Sequence, residues 1–482
     1  MMQQGLNLGH EIVVDLFAGG GGASLGIEQA LDRPVDVAVN HDPQAVAMHA
    51  ANHPGTEHFC ESVFRVHPVA VTRNQPVGLL WASPDCTHHS KAKGGKPVSS
   101  GRRGLAWVVI KWARRIRPRV IMLENVEEFA DWGPLTPEGM PCAVRKGQTF
   151  RQWIAQLERL GYQVEARVLR ACDYGAPTIR KRLFVIARRD GRPIVWPKPS
   201  HGPAESIAVK RRRRLPYRTA AECIDWSLPC HSIFERKRPL AENTMRRIAQ
   251  GMKRYVIEAA EPFIIAIDHA SARTGSTWAA TQPLSTITTE NRHALVTAFL
   301  AKHYGGVIGH TVGRPIGTIT TVDHHSLVAA SMAPYMMTMR NAGKPFNEAD
   351  KPLHTITAGG AHMYAVAAFM APYYGSGSGE TGRDLRQPAP TCTTKDRLQL
   401  VTVQIDGATY VITDIGMRML QPRELFNANG FPPDYVIDQG PEGKPLPKYA
   451  QVRMCGNSVP PVWPRALVSA NFAHEQQQRG AA

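Results

Sequence analysis

Ile12–Gly22 reads IVVDLFAGGGG, an apolar run that passes through Asp15 and Phe17 into four consecutive glycines. The run Ile12–Phe17 predicts a strand, and the glycines predict a tight turn into a helix that continues to about Leu31. A strand, a glycine turn and a helix open many α/β ligand-binding units, because a loop without side chains lets the backbone approach a ligand closely. Alone the loop is a weak signal, since it also fits dinucleotides. Phe17, just ahead of the glycines, suits stacking on an adenine ring.

The alternation continues outward from this loop. Val35–Asn40 predicts a strand and Pro43–Asn52 a helix with proline in its first turn. Val77–Ala82 is an apolar strand, Ala106–Ile116 has helical spacing halted by Pro118, and Val120–Leu123 is a buried strand. Phe150–Leu160 reads as a helix capped by Gly161, followed by strands at Tyr162–Leu169 and Leu183–Ala187. This pattern predicts a doubly wound α/β sheet over residues 1–190. After 411 the α/β character returns, with Arg423–Asn429 helical, Gly430–Pro433 a turn and Pro461–Gln476 a closing helix.

Residues 191–410 differ. The motif Pro283-x-x-Thr286-Ile287-Thr288 recurs from Pro315 and Pro352, and from Pro388 with Cys392 in place of the isoleucine, at spacings of 32, 37 and 36 residues. A period near 35 implies a repeated supersecondary unit, and the β-branched and aromatic content implies strands. Residues 256–410 hold 11 basic and 11 acidic side chains and eight histidines. Such a neutral block either props up the rest or reads base edges with its hydroxyl, imidazole and amide groups.

The chain carries a net charge of +17, and the stretch Arg180–Arg254 alone has 20 basic against 6 acidic residues. Most of the surplus is therefore local, with Lys210–Arg214 (KRRRR) its densest run. It points to a polyanionic partner, with a solvated linker as the alternative. The eight cysteines show no C-x2-C spacing, which argues against a disulfide scaffold or a structural zinc. The absence of a signal-like N-terminus and of a membrane-length apolar run leads to the expectation of a cytoplasmic protein with no membrane partner.

Four further motifs carry candidate chemistry. Ser83-Pro84-Asp85-Cys86 follows the strand Val77–Ala82, at the carboxyl end where α/β folds build sites. Glu124-Asn125-Val126 ends the strand Val120–Leu123, and a carboxylate there needs a partner or a task. Thr178-Ile-Arg180-Lys-Arg182 precedes the strand Leu183–Ala187, and Gly456-Asn457-Ser458-Val459-Pro460 lies near the C-terminus.

Each motif is weak alone, but their order is specific. DLFAGGGG, SPDC, ENV, TIRKR, a long insert, FNANGFPPDY and QVRMCGNSVP together resemble the DNA (cytosine-5)-methyltransferases of bacteria and phages. The resemblance implies a Rossmann-like methyltransferase domain with S-adenosyl-L-methionine as cofactor. It implies that the mostly β, repeat-containing insert at 191–410 is a target-recognition domain, comprising a basic strip (191–255) and the repeats (256–410), and that 411–482 returns to the catalytic domain. Cys86 would then add to carbon 6 of a flipped-out cytosine, Glu124 would hold N3 and Arg182 the carbonyl oxygen. Phe17, Gly19, Gly21, Asn40, Asp42, Ser62, Pro84, Asn457, Ser458 and Val459 would line the cofactor pocket. Arg180 would be structural or phosphate-facing, with Lys210, Arg211, Arg212, Arg213 and Arg214 on the DNA. The partners implied are duplex DNA and a companion restriction endonuclease, with the enzyme working as a monomer.

The sequence also departs from the family. Asp85 stands where proline is usual, Asn40 and Ser62 where acidic residues are usual, and Thr178 where glutamine is usual. The competing expectations are the same chemistry on RNA, a non-catalytic DNA-binding relative, and a nicotinamide dehydrogenase, which would explain only the glycine loop.

Overall fold

The computed structural model describes residues 11–85, 104–137, 140–219 and 420–479, a few positions between 221 and 238, and the backbone of strands between 263 and 419. Cys86 lies outside the described residues.

Seven strands form the central sheet: β1 (Ile12–Leu16), β2 (Val37–Asn40), β3 (Glu57–Cys60), β4 (Val77–Ala82), β5 (Val120–Asn125), β6 (Gln163–Arg170) and β7 (Lys181–Arg188). Their order is β3-β2-β1-β4-β5-β7-β6. The first five run parallel, and β7 enters antiparallel to both β5 and β6. This is a doubly wound, Rossmann-like α/β sheet whose strand order reverses between β1 and β4, the place where such sheets leave a crevice for ligands.

The apolar runs are continuous because both sheet faces are covered. Val14, Leu16, Leu80, Ala82, Ile121, Leu123 and Val185 pack with Trp112 of α3 (Trp107–Ile116) and Trp153 and Leu157 of α4 (Gln148–Arg159). The alternate residues Val13, Leu79, Trp81, Val120, Met122, Phe184 and Ile186 pack on the other side. There they meet Ala23 and Ile27 of α1 (Gly22–Leu31) and Trp463, Leu467 and Phe472 of the last helix, α7 (Val462–Arg479). Helix α2 (Pro43–Asn52) follows β2, with the Asp42 carboxylate capping its Gln44 N–H. The C-terminal stretch thus completes a layer begun by the first helix, together with α5 (Pro422–Ala428) and α6 (Lys448–Asn457).

In the insert, Leu284–Asn291 pairs in parallel with Gly317–Asp323, matching Ile287 with Ile319 and Thr288 with Thr320. His293–Leu300 pairs in parallel with Val328–Ala333, matching Val296 with Val328. Each pairing steps by the 32-residue spacing of the first two repeats. Equivalent positions of these two repeats therefore sit side by side, as stacked copies of one unit do. Among the described residues no helix is long and apolar enough to cross a membrane.

Candidate active site

Strand register brings the scattered motifs to one edge. Leu16 is level with Val39 and Ala82, and Ala82 with Leu123. The next residue on each strand is therefore Phe17, Asn40, Ser83 and Glu124, in a row along the carboxyl edge. Asn40 is level with Cys60, so Ser62 continues the row beyond β3. The antiparallel β7 adds its beginning to the same edge, with Asn125 level with Leu183, which sets Arg182 beside the end of β5.

At one end of this row Glu124 and Arg182, 7% and 8% exposed, form an ion pair from Oε1 to Nε at 3.0 Å. Neighbouring Asn125 is buried and donates from Nδ2 to the Pro84 carbonyl at 3.2 Å, tying the end of β5 to the SPDC turn. Ser83 accepts from Trp81 Nε1 at 2.9 Å, and its N–H donates to the Leu16 carbonyl, which fixes the turn to β1. Pro84 is buried and Asp85 exposed.

The other end of the row is the glycine loop. Phe17 is half-buried and holds φ +62°, a left-handed conformation that costs a bulky residue about 1–3 kcal/mol and persists only where its surroundings fix it. Gly19 (φ +55°) has open space where a side chain would stand, its nearest neighbour being the Phe17 carbonyl at 3.8 Å. The other glycines lack side chains for a different reason. Tyr435 and His53 fill the place beside Gly21, the Val459 carbonyl that beside Gly22, and the Pro461 carbonyl that beside Gly26. The glycine run is thus largely a seat for the C-terminal segment, with open space left beside Gly19. Ser458 and Val459 are buried, with Ser458 Oγ donating to the Met454 carbonyl at 2.8 Å, whereas Asn457 is exposed.

Asn40 accepts the Asp42 N–H at 2.9 Å. Asp42 uses one oxygen to cap α2 through Gln44 and the other on Arg453 at 2.7 Å. Ser62 donates its N–H to Glu61 Oε1 at 2.7 Å.

Beneath the loop Asp15 is fully buried, accepts from Ser24 Oγ at 2.8 Å, and leaves its second oxygen with no partner among the described residues. Burial pushes its carboxyl up to about 7 against the lowering by Ser24, with the charge of Glu28 adding to the rise. His49 bonds the same Ser24 at 3.0 Å, and burial with His53 and His58 close by holds its imidazole well below the usual range.

Arg180 and the basic strip have opposite surroundings. Arg180 is 2% exposed and donates to the Gly456 carbonyl at 2.9 Å, binding TIRKR to the C-terminal motif, so its guanidinium is a clamp inside the protein and not a phosphate-facing group. Lys210–Arg214 is exposed throughout and forms no ion pair among the described residues. This run is nonetheless anchored. Ser200 N–H donates to the Asp173 carbonyl at 2.9 Å, Tyr217 OH to Asp173 Oδ1 at 2.5 Å, and Tyr174 OH to the Pro197 carbonyl at 3.0 Å. The turn Ala171–Tyr174 joins β6 to β7 on the edge that carries Arg182, so the strip projects from the site's own side of the sheet.

Three further residues join the site without a signal of their own in the sequence. Tyr435 lies within FNANGFPPDY, where only its place at the end of the Gly- and Pro-rich stretch Gly430–Asp434 marks it. Glu28 sits inside α1 and His53 caps the end of α2, and their role comes from the segment that folds onto them.

A model of the family described as C-5 cytosine-specific DNA methylase matches residues 12–250. The chain is 27% identical to Type II methyltransferase M.SacI of Streptomyces achromogenes over 240 residues, 45% of this chain and 58% of that one. It is 28% identical to Type II methyltransferase M1.HphI of Haemophilus parahaemolyticus over 193 residues, 39% of this chain and 48% of that one. With Type II methyltransferase M.AquIA of Picosynechococcus it shares 26% over 227 residues, 44% of this chain and 87% of that one. The chain spans about half the length of the first two relatives.

Proposed function

The chain belongs to the C-5 cytosine-specific DNA methylase family, and from that premise we propose that it transfers a methyl group from S-adenosyl-L-methionine to carbon 5 of cytosine within a specific duplex DNA sequence. The observation that carries the reading is the buried Glu124–Arg182 pair, tied through Asn125 to the turn that leads into Cys86.

S-adenosylmethionine, when bound, supplies an electrophilic methyl group. The crevice at the β1/β4 reversal fits such a molecule: the side of Gly19 is open, and the strained, half-buried Phe17 stands at its mouth. Asn40, at the end of β2, and Ser62, just beyond β3, serve as hydrogen-bonding groups for ribose and adenine. Asp42, with both oxygens engaged, braces α2 and leaves the ribose to Asn40. Pro84, Ser458 and Val459 close the pocket walls.

In the chemistry proposed, the target cytosine swings out of the duplex and the Cys86 thiolate adds to carbon 6. Glu124 holds N3 and the exocyclic amine as charge builds in the ring, while Arg182 holds the carbonyl oxygen and keeps Glu124 oriented. Once carbon 5 carries the methyl group, a base removes its proton and Cys86 leaves with the electron pair of the carbon–sulfur bond. The exposed strip Lys210–Arg214 holds phosphates during this, and the repeats at 256–410 read the sequence. The same reading places the chain in the bacterial cytoplasm, acting as a monomer on sites shared with a companion endonuclease.

Duplex DNA carrying 5-fluorocytosine at the methylated site tests this, because fluorine cannot leave as a proton does and the Cys86 adduct persists. A denaturation-resistant protein–DNA adduct, lost in Cys86→Ser, is expected. No adduct with the wild-type chain sinks the chemistry.

A further inference from the structure

One buried polar chain under the glycine loop takes no part in the chemistry above. The Tyr435 hydroxyl donates to the Gly20 carbonyl at 2.7 Å. Its oxygen lies 3.1 Å from His53 Nε2, and His53 Nδ1 lies 2.8 Å from Glu28 Oε2. Tyr435 and His53 are 4% and 2% exposed. A carbonyl only accepts, so the hydroxyl's single proton is committed to Gly20, and His53 Nε2 donates to the hydroxyl oxygen. In so dry a place each of these bonds is stronger than in water.

The loop needs such a hold. Phe17, Gly19 and Gly21 all have positive φ, at +62°, +55° and +92°. Within the loop, Ala18 N–H bonds the Val39 carbonyl and Gly21 N–H the Ala18 carbonyl. Tyr435 reaches the loop's carbonyl side from a segment 415 positions away in sequence. The space a side chain at Gly21 would fill is taken by this hydroxyl and by His53, so Gly21 is shaped to the latch.

We propose that Tyr435 is a positioning residue for the cofactor loop: by holding the Gly20 carbonyl it keeps Phe17–Gly21 in its strained, cofactor-ready shape, with His53 and Glu28 bracing the hydroxyl. Tyr435 thereby sets the affinity for S-adenosylmethionine through the loop, without touching the cofactor itself. This rests on the reading of the loop as the cofactor site.

The test is Tyr435→Phe in the full chain, which keeps the ring against Phe431, 4.8 Å away between centroids. Calorimetric Kd for S-adenosylmethionine and S-adenosylhomocysteine is measured without DNA, beside KM, kcat and Tm. The Kd and the cofactor KM rise together by about 3–10-fold, as removal of one hydrogen bond implies, with kcat within about twofold and Tm lowered by a few degrees. Glu28→Gln, which leaves the hydroxyl in place but weakens its brace, gives a smaller rise of about twofold in Kd. Wild-type Kd in both variants overturns the proposal, as does a fall in kcat at unchanged Kd. A wild-type chain that binds neither compound overturns the cofactor reading itself, a result distinct from wild-type binding that the variants leave untouched.

Discussion

Arginine has two opposite fates in neighbouring parts of this chain. Arg180 and Arg182, at the start of β7, are buried and committed, one to the Gly456 carbonyl and one to Glu124. Arg211–Arg214, on a projection anchored a few residues away, are exposed and form no ion pairs among the described residues. The buried pair has given up its water and needs fixed partners in exchange, which makes it geometry. The exposed strip keeps its water and counterions, which makes it a long-range attractor for phosphate. Identical chemistry is thus held by fixed partners in one place and left exposed in the other, with burial deciding between them; the function proposed above uses the first for catalysis and the second for partner capture.

Three substitutions would break or sharpen that contrast. Arg182→Ala strands a buried carboxylate, so denaturant unfolding should show a loss of about 3–5 kcal/mol. Its kcat should fall about 100-fold or more, since a charge-stabilising donor is gone. Retained stability would mean that Glu124 finds water easily and that the pair is not truly buried. Arg180→Ala removes the bond to Gly456 and should cost about 1–3 kcal/mol, while the salt dependence of DNA binding stays as in the wild type. A weaker salt dependence would place Arg180 on the DNA after all. Replacing Arg211–Arg214 together by alanine should move stability by no more than about 0.5 kcal/mol. The slope of log affinity against log salt should then shrink by about 0.9 for each phosphate that the strip no longer neutralises. An unchanged slope would leave the strip a solvated face.

Much of the sheet is legible in the sequence because its strands are buried on both faces and so are apolar throughout. The differences have local causes. The second strand begins at Val37 and not Val35, because Asp36 turns its carboxylate to Val13 N–H at 2.8 Å and to Arg33 at 3.0 Å. The fifth strand runs on to Asn125, beyond its apolar run, because β7 pairs with Glu124 and Asn125. Glu57–Cys60 is an edge strand whose exposed and half-buried residues show no apolar alternation, so no strand is expected there from the sequence. Lys448–Asn457 is a helix without a helical signature, since packing against the C-terminal cluster sets its shape and it carries little amphipathic pattern of its own.

By itself the sequence determined the α/β alternation, the order of motifs and the kinds of side chain available for chemistry, because these depend on local pattern and residue type. The tertiary structure decided which of those side chains are dry and paired. Arg180 meets Gly456 across 276 positions and Tyr435 meets Gly20 across 415. A residue's burial and its hydrogen-bond partner come from whatever distant segment folds against it, and no local pattern encodes that. The same reason splits the four glycines at Gly19–Gly22: the sequence showed only that side chains were absent, and the fold showed that Gly19 faces open space while Gly21 and Gly22 make room for the protein itself.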